Sequence, residues 1–328
     1  MTLSAPASGA APLVSVIVPA FNAAAYLGEA IRSLIVQTLT DIEIIVIDDG
    51  SKDDTRATAY ALAREDTRIR VLMRDTPSGR PSIARNEAMR AARGRYLAFL
   101  DADDIAMRTS LEHAVSALEL TGARFAFADM QRMFQDTGTM AAGGTLELAD
   151  FTKIAAPYLE RVSGNVYLCS RAFPAFLLTY VAIGTPTVVF HRDLLTAENT
   201  SFDQTLICFE DLDYWFRLAE HTPFVFVNEI AVVVRKHSDS LTGTTPTATR
   251  IDGIAVRKAH LDRLWNRMSA AERGAAERNI SALQFDVAYA ERCAGLGNSA
   301  RTWFLESWTT KPSTAALLGA LKTFLPRR

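Results

Sequence analysis

Cysteine is scarce in this 328-residue chain: Cys169, Cys208 and Cys293 stand far apart and form no CxxC pair. That argues against a zinc knuckle and a disulfide framework, and the thiols fit a reducing compartment. An excess of one charge is lacking too, with 35 Lys and Arg against 37 Asp and Glu and a formal net charge of -2. A balance this close to zero offers no broad phosphate-binding surface, so nucleic acid is not an expected partner. No apolar run reaches the ~18 residues that a spanning helix needs. The best candidate, Phe176 to Phe190, is broken by Gly184 and Pro186. The start, 1–12, is rich in Ala, Ser and Pro and lacks the basic residues and long apolar core of a secretory signal. It is expected to be a disordered tail on a soluble, cytoplasmic protein that touches a membrane from one side at most. Two nucleotide-binding signatures are also missing. Without G-x-G-x-x-G a dinucleotide fold of the usual kind is disfavoured, and without G-x-x-x-x-G-K-[ST] a P-loop enzyme is excluded.

What is present alternates between strand and helix over the first ~130 residues. Apolar strands are expected at 14–18, 42–47, 69–72, 96–100 and 124–128, with helices over 54–65, 83–93 and 109–120. Asn22 is read as the N-cap of a helix through Leu27, Ile31 and Leu34, and Gly94 as a left-handed C-cap. Such alternation predicts an α/β fold, a mostly parallel sheet with helices on both faces. From 131 to 163 the period fades and loops are expected; strands return at 187–190, 224–227 and 230–234 around a helix at 211–220. Beyond Thr249 the chain reads as helical. Its last stretch, Ala315 to Leu325 followed by Pro326-Arg327-Arg328, is weakly amphipathic with basic ends. It reads either as a helix packed on the body or as a membrane-surface contact.

The chemistry gathers at strand ends, where open parallel sheets bind their ligands. One strand ends in Pro19-Ala20-Phe21-Asn22, another in Asp48-Asp49, a third in Asp101-Ala102-Asp103-Asp104. Carboxylates crowded on one rim repel each other unless a cation or hydrogen-bond donors compensate. They are hard oxygen ligands suited to Mg²⁺ or Mn²⁺, which in turn hold phosphate oxygens. A metal-bound diphosphate with a nucleoside nearby fits this rim.

Six segments in register now resemble the family 2 glycosyltransferases of GT-A fold. They are VSVIVPAFN (14–22), IDDGSKDDT (47–55), ARN (84–86), LDADD (100–104), FEDLDYWFRL (209–218) and RKHSDSLT (235–242). The resemblance spans about 13–242. It implies a Rossmann-like GT-A domain over 13–245, with a nucleotide half (13–130) and an acceptor half (131–245), and leaves 246–328 as a helical C-terminal region. It implies that Pro19, Phe21, Asp48 and Asp49 hold nucleobase and ribose, although a core role for Phe21 is an equal reading. Arg85 would face the nucleotide, and Asp101 and Asp103 would fall on the DXD motif, with Asp103 on Mn²⁺ or Mg²⁺ and Asp101 assisting or holding the ribose. Asp104 would cap the next helix, and His237 would reach the metal or the diphosphate. Asp211 would be the general base and Glu210 its neighbour in the site. The partners implied are a nucleotide-sugar donor, most simply a UDP-sugar, and a saccharide or lipid-linked acceptor in envelope or extracellular polysaccharide assembly. A single base implies inversion at the anomeric carbon.

Two other readings use the same acids. A haloacid-dehalogenase-like phosphatase also has Asp-x-Asp after a strand, but on the first strand of its domain, and it would leave Glu210-Asp211 without a role. A protein that binds nucleotide sugars without transferring them would show affinity and no turnover.

Overall fold

The computed structural model describes residues 11–195, 201–236 and 246–324. Described residues within 1–171, 182–204 and 217–237 form one compact unit, and those within 172–181, 205–216 and 238–328 form a second. The first unit holds β1 (Val14–Ala20), β2 (Ile42–Asp48), β3 (Ile69–Met73), β4 (Tyr96–Phe99), β5 (Ile105–Ala106), β6 (Phe125–Phe134), β7 (Thr139–Gly144), β8 (Leu159–Ser163), β9 (Val166–Cys169), β10 (Val189–His191) and β11 (Phe224–Lys236). They make one mixed sheet ordered β3-β2-β1-β4-β10-β6-β11-β9-β8, with β5 on β11 and β7 on β6. The first four strands of that order are parallel throughout. β10 runs antiparallel between β4 and β6, and β6 and β11 are again parallel.

The alternation of side chains along a strand divides the core. Val14, Val16 and Val18 of β1 and Ile42, Ile44 and Val46 of β2 pack with α1 (Leu27–Ile35), α2 (Thr55–Glu65) and α4 (Ser110–Thr121). α3 (Pro81–Ala91) packs on β1 and β2 and brings Ala84, Ala88 and Met89 to burial. Four expectations need correction. Asn22 does not cap α1, which starts at Leu27 after Tyr26. α3 stops at Ala91, and Gly94 is not left-handed. It is glycine because a Cβ there would lie 2.4 Å from the Ser15 backbone nitrogen. The stretch 131–163 is also more ordered than its composition suggests, with β7, β8, α5 (Thr145–Leu148) and α6 (Phe151–Ile154). The two strands expected at 224–234 are one, β11, carrying register shifts between Val227 and Val232.

Every residue of β2 is buried, Glu43 included. At the strands' amino ends its carboxylate accepts Ser15 Oγ (2.6 Å), the Arg93 amide (2.7 Å) and Arg70 Nη1 (2.7 Å). Burial pushes the Glu43 pKa up, but those hydrogen bonds outweigh it and hold it below the usual value. Glu43→Gln is expected to cost roughly 3 kcal/mol at neutral pH, because two arginines lose a buried partner. A depressed folded pKa confers stability above the unfolded value that is lost as pH falls. Urea midpoints measured from neutral to acid pH should therefore converge for the two proteins on the acid side, and a constant gap would refute the charge argument.

The second unit contains α7 (Phe173–Leu177), the start of α8 (Glu210–Ala219), α9 (Pro246–Leu264), α10 (Ala270–Cys293), α11 (Gly297–Thr310) and α12 (Thr314–Lys322). α10 begins with a reciprocal cap between Ser269 and Glu272. Among the described residues no helix is long and apolar enough to cross a membrane. The tail expected at 1–12 lies almost wholly outside the described residues.

Candidate functional site

In the first unit the carboxyl ends of β2, β1 and β4 are stitched together. The Asp49 amide donates to Ala20 O (2.8 Å) and the Leu100 amide to Ile17 O (3.0 Å). Pro19 is half-buried within β1. Phe21 just beyond it is 49% exposed, which removes the core reading. Asn22 takes a left-handed φ of 49° and ties this loop to the next. Its amide donates to Ser51 Oγ (2.9 Å), and its side chain accepts the Lys52 amide (2.9 Å).

The two acids after β2 have different surroundings. Asp48 is fully buried, accepts the Ser51 amide (3.1 Å) and pairs with Arg56 Nε (3.1 Å), so it closes its own turn. Asp49 reaches the loop 74–80. It accepts the Ser78 amide (3.0 Å) and Ser78 Oγ (2.7 Å) and lies 2.9 Å from Arg74 Nε, out of line for a hydrogen bond. Gly50 between this turn and that loop has φ 74°, and a Cβ would stand 2.7 Å from Pro77 N. Gly50→Ala should therefore displace the loop while the sheet stays folded, and the nucleotide affinity that the motifs imply should fall about tenfold or more, a result readable by titration beside a thermal melt.

β4 ends in the acidic turn. Asp101 is held by Arg85 of α3, whose Nη2 donates to its Oδ1 at 2.8 Å; Arg85 is itself buried, with its guanidinium 5.8 Å from the Phe202 ring centroid. Asp103 is half-buried beside it. Asp104 does not cap a helix, since β5 intervenes and α4 begins at Ser110. It accepts the Arg235 amide of β11 at 3.0 Å. Arg235 also donates from Nε to the Asp103 carbonyl (3.1 Å) and from Nη2 to Glu29 (2.6 Å). Burial, with Asp101 and Asp103 adding repulsion, pushes Asp104 up to about 9. The donor set fits a divalent ion: two hard carboxylates, Asp101 and Asp103, at a strand end. Among the described residues no three or more His, Cys, Asp or Glu converge, so such an ion would take its remaining ligands from phosphate and water, as Mg²⁺ commonly does. His237 lies outside the described residues.

In the second unit, Glu210 and Asp211 occupy the first turn of α8, with Glu210 buried and Asp211 half-buried. Asp211 Oδ1 accepts the Leu212 amide at 2.7 Å. The preceding Phe209 is left-handed, φ 62°, a conformation costly for a bulky residue. One face of α9 holds this segment. Asp252 accepts the amides of Ile207 (2.7 Å) and Cys208 (3.0 Å), and Thr249 Oγ1 is 3.3 Å from Cys208 Sγ. Gly253 leaves room for the Phe209 ring, and the Arg257 guanidinium stacks 5.1 Å from that ring's centroid. Burial lowers the Arg257 pKa to about 10. His260 Nε2 meets Asp213 Oδ1 at 2.8 Å.

Ser78, Arg235 and these α9 residues were not singled out in the sequence. Arg235 stood inside a quoted motif, and Thr249, Gly253, Arg257 and His260 recur at a spacing that puts them on one helix face.

Comparison with known proteins bears on the family and the fold. The family described as "Glycosyl transferase family 2" matches residues 15–173. "Uncharacterized glycosyltransferase EpsJ" of Bacillus subtilis (strain 168) is 30% identical over 239 residues, 70% of this chain and 63% of that protein. The "Putative teichuronic acid biosynthesis glycosyltransferase TuaG" of the same organism is 38% identical over 125 residues, 38% of this chain and 49% of that protein. The chain thus spans about half to two thirds of the length of these curated relatives. Among solved structures, S. aureus TarS 1-349 in complex with UDP-GlcNAc gives a TM-score of 0.64 at 16% identity, covering 95% of this chain and 89% of that one. The mannosyltransferase PcManGT from Pyrobaculum calidifontis, in complex with GDP-Man and Mn2+, gives 0.55 at 17% identity, covering 99% and 90%. These two likenesses show the fold, the GT-A arrangement that the motifs implied.

Proposed function

We propose, from the premise that this chain belongs to glycosyl transferase family 2, that it moves a sugar from a nucleoside-diphosphate sugar to a hydroxyl of a saccharide or lipid-linked acceptor in polysaccharide assembly. The observation that carries this reading is the acidic turn of β4, with Asp101 fixed by Arg85 and Asp104 fixed by the Arg235 amide beside the carboxyl ends of β1 and β2. Phe21 would cover the base, Asp49 would accept from it, and Arg85 would face the diphosphate. Mn²⁺ or Mg²⁺ at Asp101 and Asp103 would supply positive charge for the departing diphosphate. Asp211 would take the proton of the acceptor oxygen as that oxygen bonds to the anomeric carbon and the bond to the diphosphate breaks. One displacement with one base inverts the anomeric centre. The names of relatives support polysaccharide assembly, since TuaG is assigned to teichuronic acid.

Isothermal titration with UDP, in Mn²⁺ and in EDTA, tests the donor site. Affinity is expected to need the ion, and Asp103→Ala should behave like EDTA; equal affinity in all three removes the metal assignment. Asp49→Ala should weaken UDP by roughly 10- to 150-fold, the loss of one charged hydrogen bond. Ser78→Ala, which loosens only the loop, should cost far less. Equal losses would make Asp49 a loop anchor, and tighter binding of GDP or dTDP would overturn uridine.

A further inference from the structure

The acidic turn after β4 closes on itself where the Asp104 amide donates to the Asp101 carbonyl (3.0 Å). Arg235 of β11 then holds both later positions of the turn. Its amide donates to Asp104 Oδ1 (3.0 Å) and its Nε to the Asp103 carbonyl (3.1 Å). Fixing a carbonyl fixes its peptide plane, and with it the direction in which the Asp103 side chain leaves the backbone. Arg235 is itself held from the start of α1. Its Nη2 donates to Glu29 Oε2 in the first turn (2.6 Å), and its guanidinium lies 5.2 Å from the ring centroid of Tyr26, just before the helix. The Tyr26 hydroxyl donates to Gln135 Oε1 (3.0 Å), and the Gln135 amide donates to the Lys236 carbonyl (3.1 Å), which closes the circuit back on β11. The Arg235 side chain is 11% exposed.

We propose that Arg235 is a positioning residue for the metal-holding turn, acting through the Asp103 carbonyl and aimed by Glu29. Its charge alone would work against the site, since a guanidinium tied to the backbone of Asp103 repels a divalent cation at that residue's carboxylate. What it supplies is geometry, a planar fork whose donors point in fixed directions and which lysine cannot reproduce. The proposal deepens the transfer reading and rests on its metal assignment to Asp101 and Asp103.

Calorimetric UDP titrations across a series of Mn²⁺ concentrations give the concentration that half-restores binding. Arg235→Lys keeps the charge and loses the fork, and should raise that midpoint roughly tenfold. Arg235→Gln loses both and should raise it by about 10- to 100-fold, the usual loss when a group supporting a metal ligand is removed. At saturating Mn²⁺ both variants should regain wild-type UDP affinity, which a collapsed site could not do. Glu29→Gln, at a side chain 59% exposed, should raise the midpoint about threefold. In the Arg235→Gln background it should add nothing. A role through charge alone predicts the opposite sign, a lower Mn²⁺ requirement in Arg235→Gln. That result overturns the proposal, as does an unshifted midpoint in Arg235→Lys, an additive Glu29→Gln, or a loss of UDP affinity that saturating Mn²⁺ does not repair. Wild-type UDP binding that ignores Mn²⁺ removes the metal assignment and the positioning role with it. A wild type that needs Mn²⁺ beside unshifted variants removes the positioning role alone.

Discussion

Asp211→Asn should yield a folded protein that binds donor as the wild type does and transfers sugar ~10²–10⁴-fold more slowly, the usual loss of a general base. Asp211 sits one residue into α8, and the helix anchors it through Leu212, Tyr214, Trp215 and Phe216, all buried. The carboxylate accepts the Leu212 amide, and an Asn carbonyl can do the same, so local structure is kept. What Asn cannot do is take a proton at neutral pH. Glu210→Gln should be milder, since it orients the turn without receiving the proton. Single-turnover product formation set against donor affinity separates the two roles. Full-rate Asp211→Asn would remove the base, and an unfolded variant would leave Asp211 a structural cap.

The acids of this chain were legible because buried parallel strands read as continuous apolar runs whose ends can be seen directly. Strands β1, β2 and β4 are of that kind, and the carboxylates that follow β2 and β4 fell at strand ends as expected. The region after β6 was not legible for the opposite reason. β7 is Thr-Met-Ala-Ala-Gly-Gly and β8 Leu-Glu-Arg-Val-Ser, mostly exposed and paired antiparallel near the sheet's margin, so neither carries an apolar signal. The break expected between strands 224–227 and 230–234 proved to be an irregularity inside β11, where the register slips without ending the strand. Partners were harder still. Asp104 finds the Arg235 amide 131 positions away, and Asp213 finds His260 at 47, separations at which no local pattern can announce the contact.

Those distant partners lead to the second large effect, Gly253→Ala. A Cβ at 253 would stand 2.8 Å from Phe209 Cε2 and 3.1 Å from Arg257 Nη1. The ring must therefore give way, and it belongs to a residue already held left-handed one position before Glu210. Relief is easiest by letting Phe209 leave that conformation, which turns the first residues of α8. A displacement of about 1 Å at a catalytic group can cost ~10²-fold in rate. Gly253→Ala is thus expected to lower kcat by about that factor while donor affinity and the thermal midpoint change little, because the rest of α9 remains well packed. Adding Phe209→Leu, which shortens the colliding side chain, should restore part of the rate. Asp211→Asn would not be rescued in this way, so recovery identifies geometry as the cause. Wild-type kcat in Gly253→Ala would reduce α9 to a strut, and a fall in donor affinity equal to the fall in kcat would place its effect on binding.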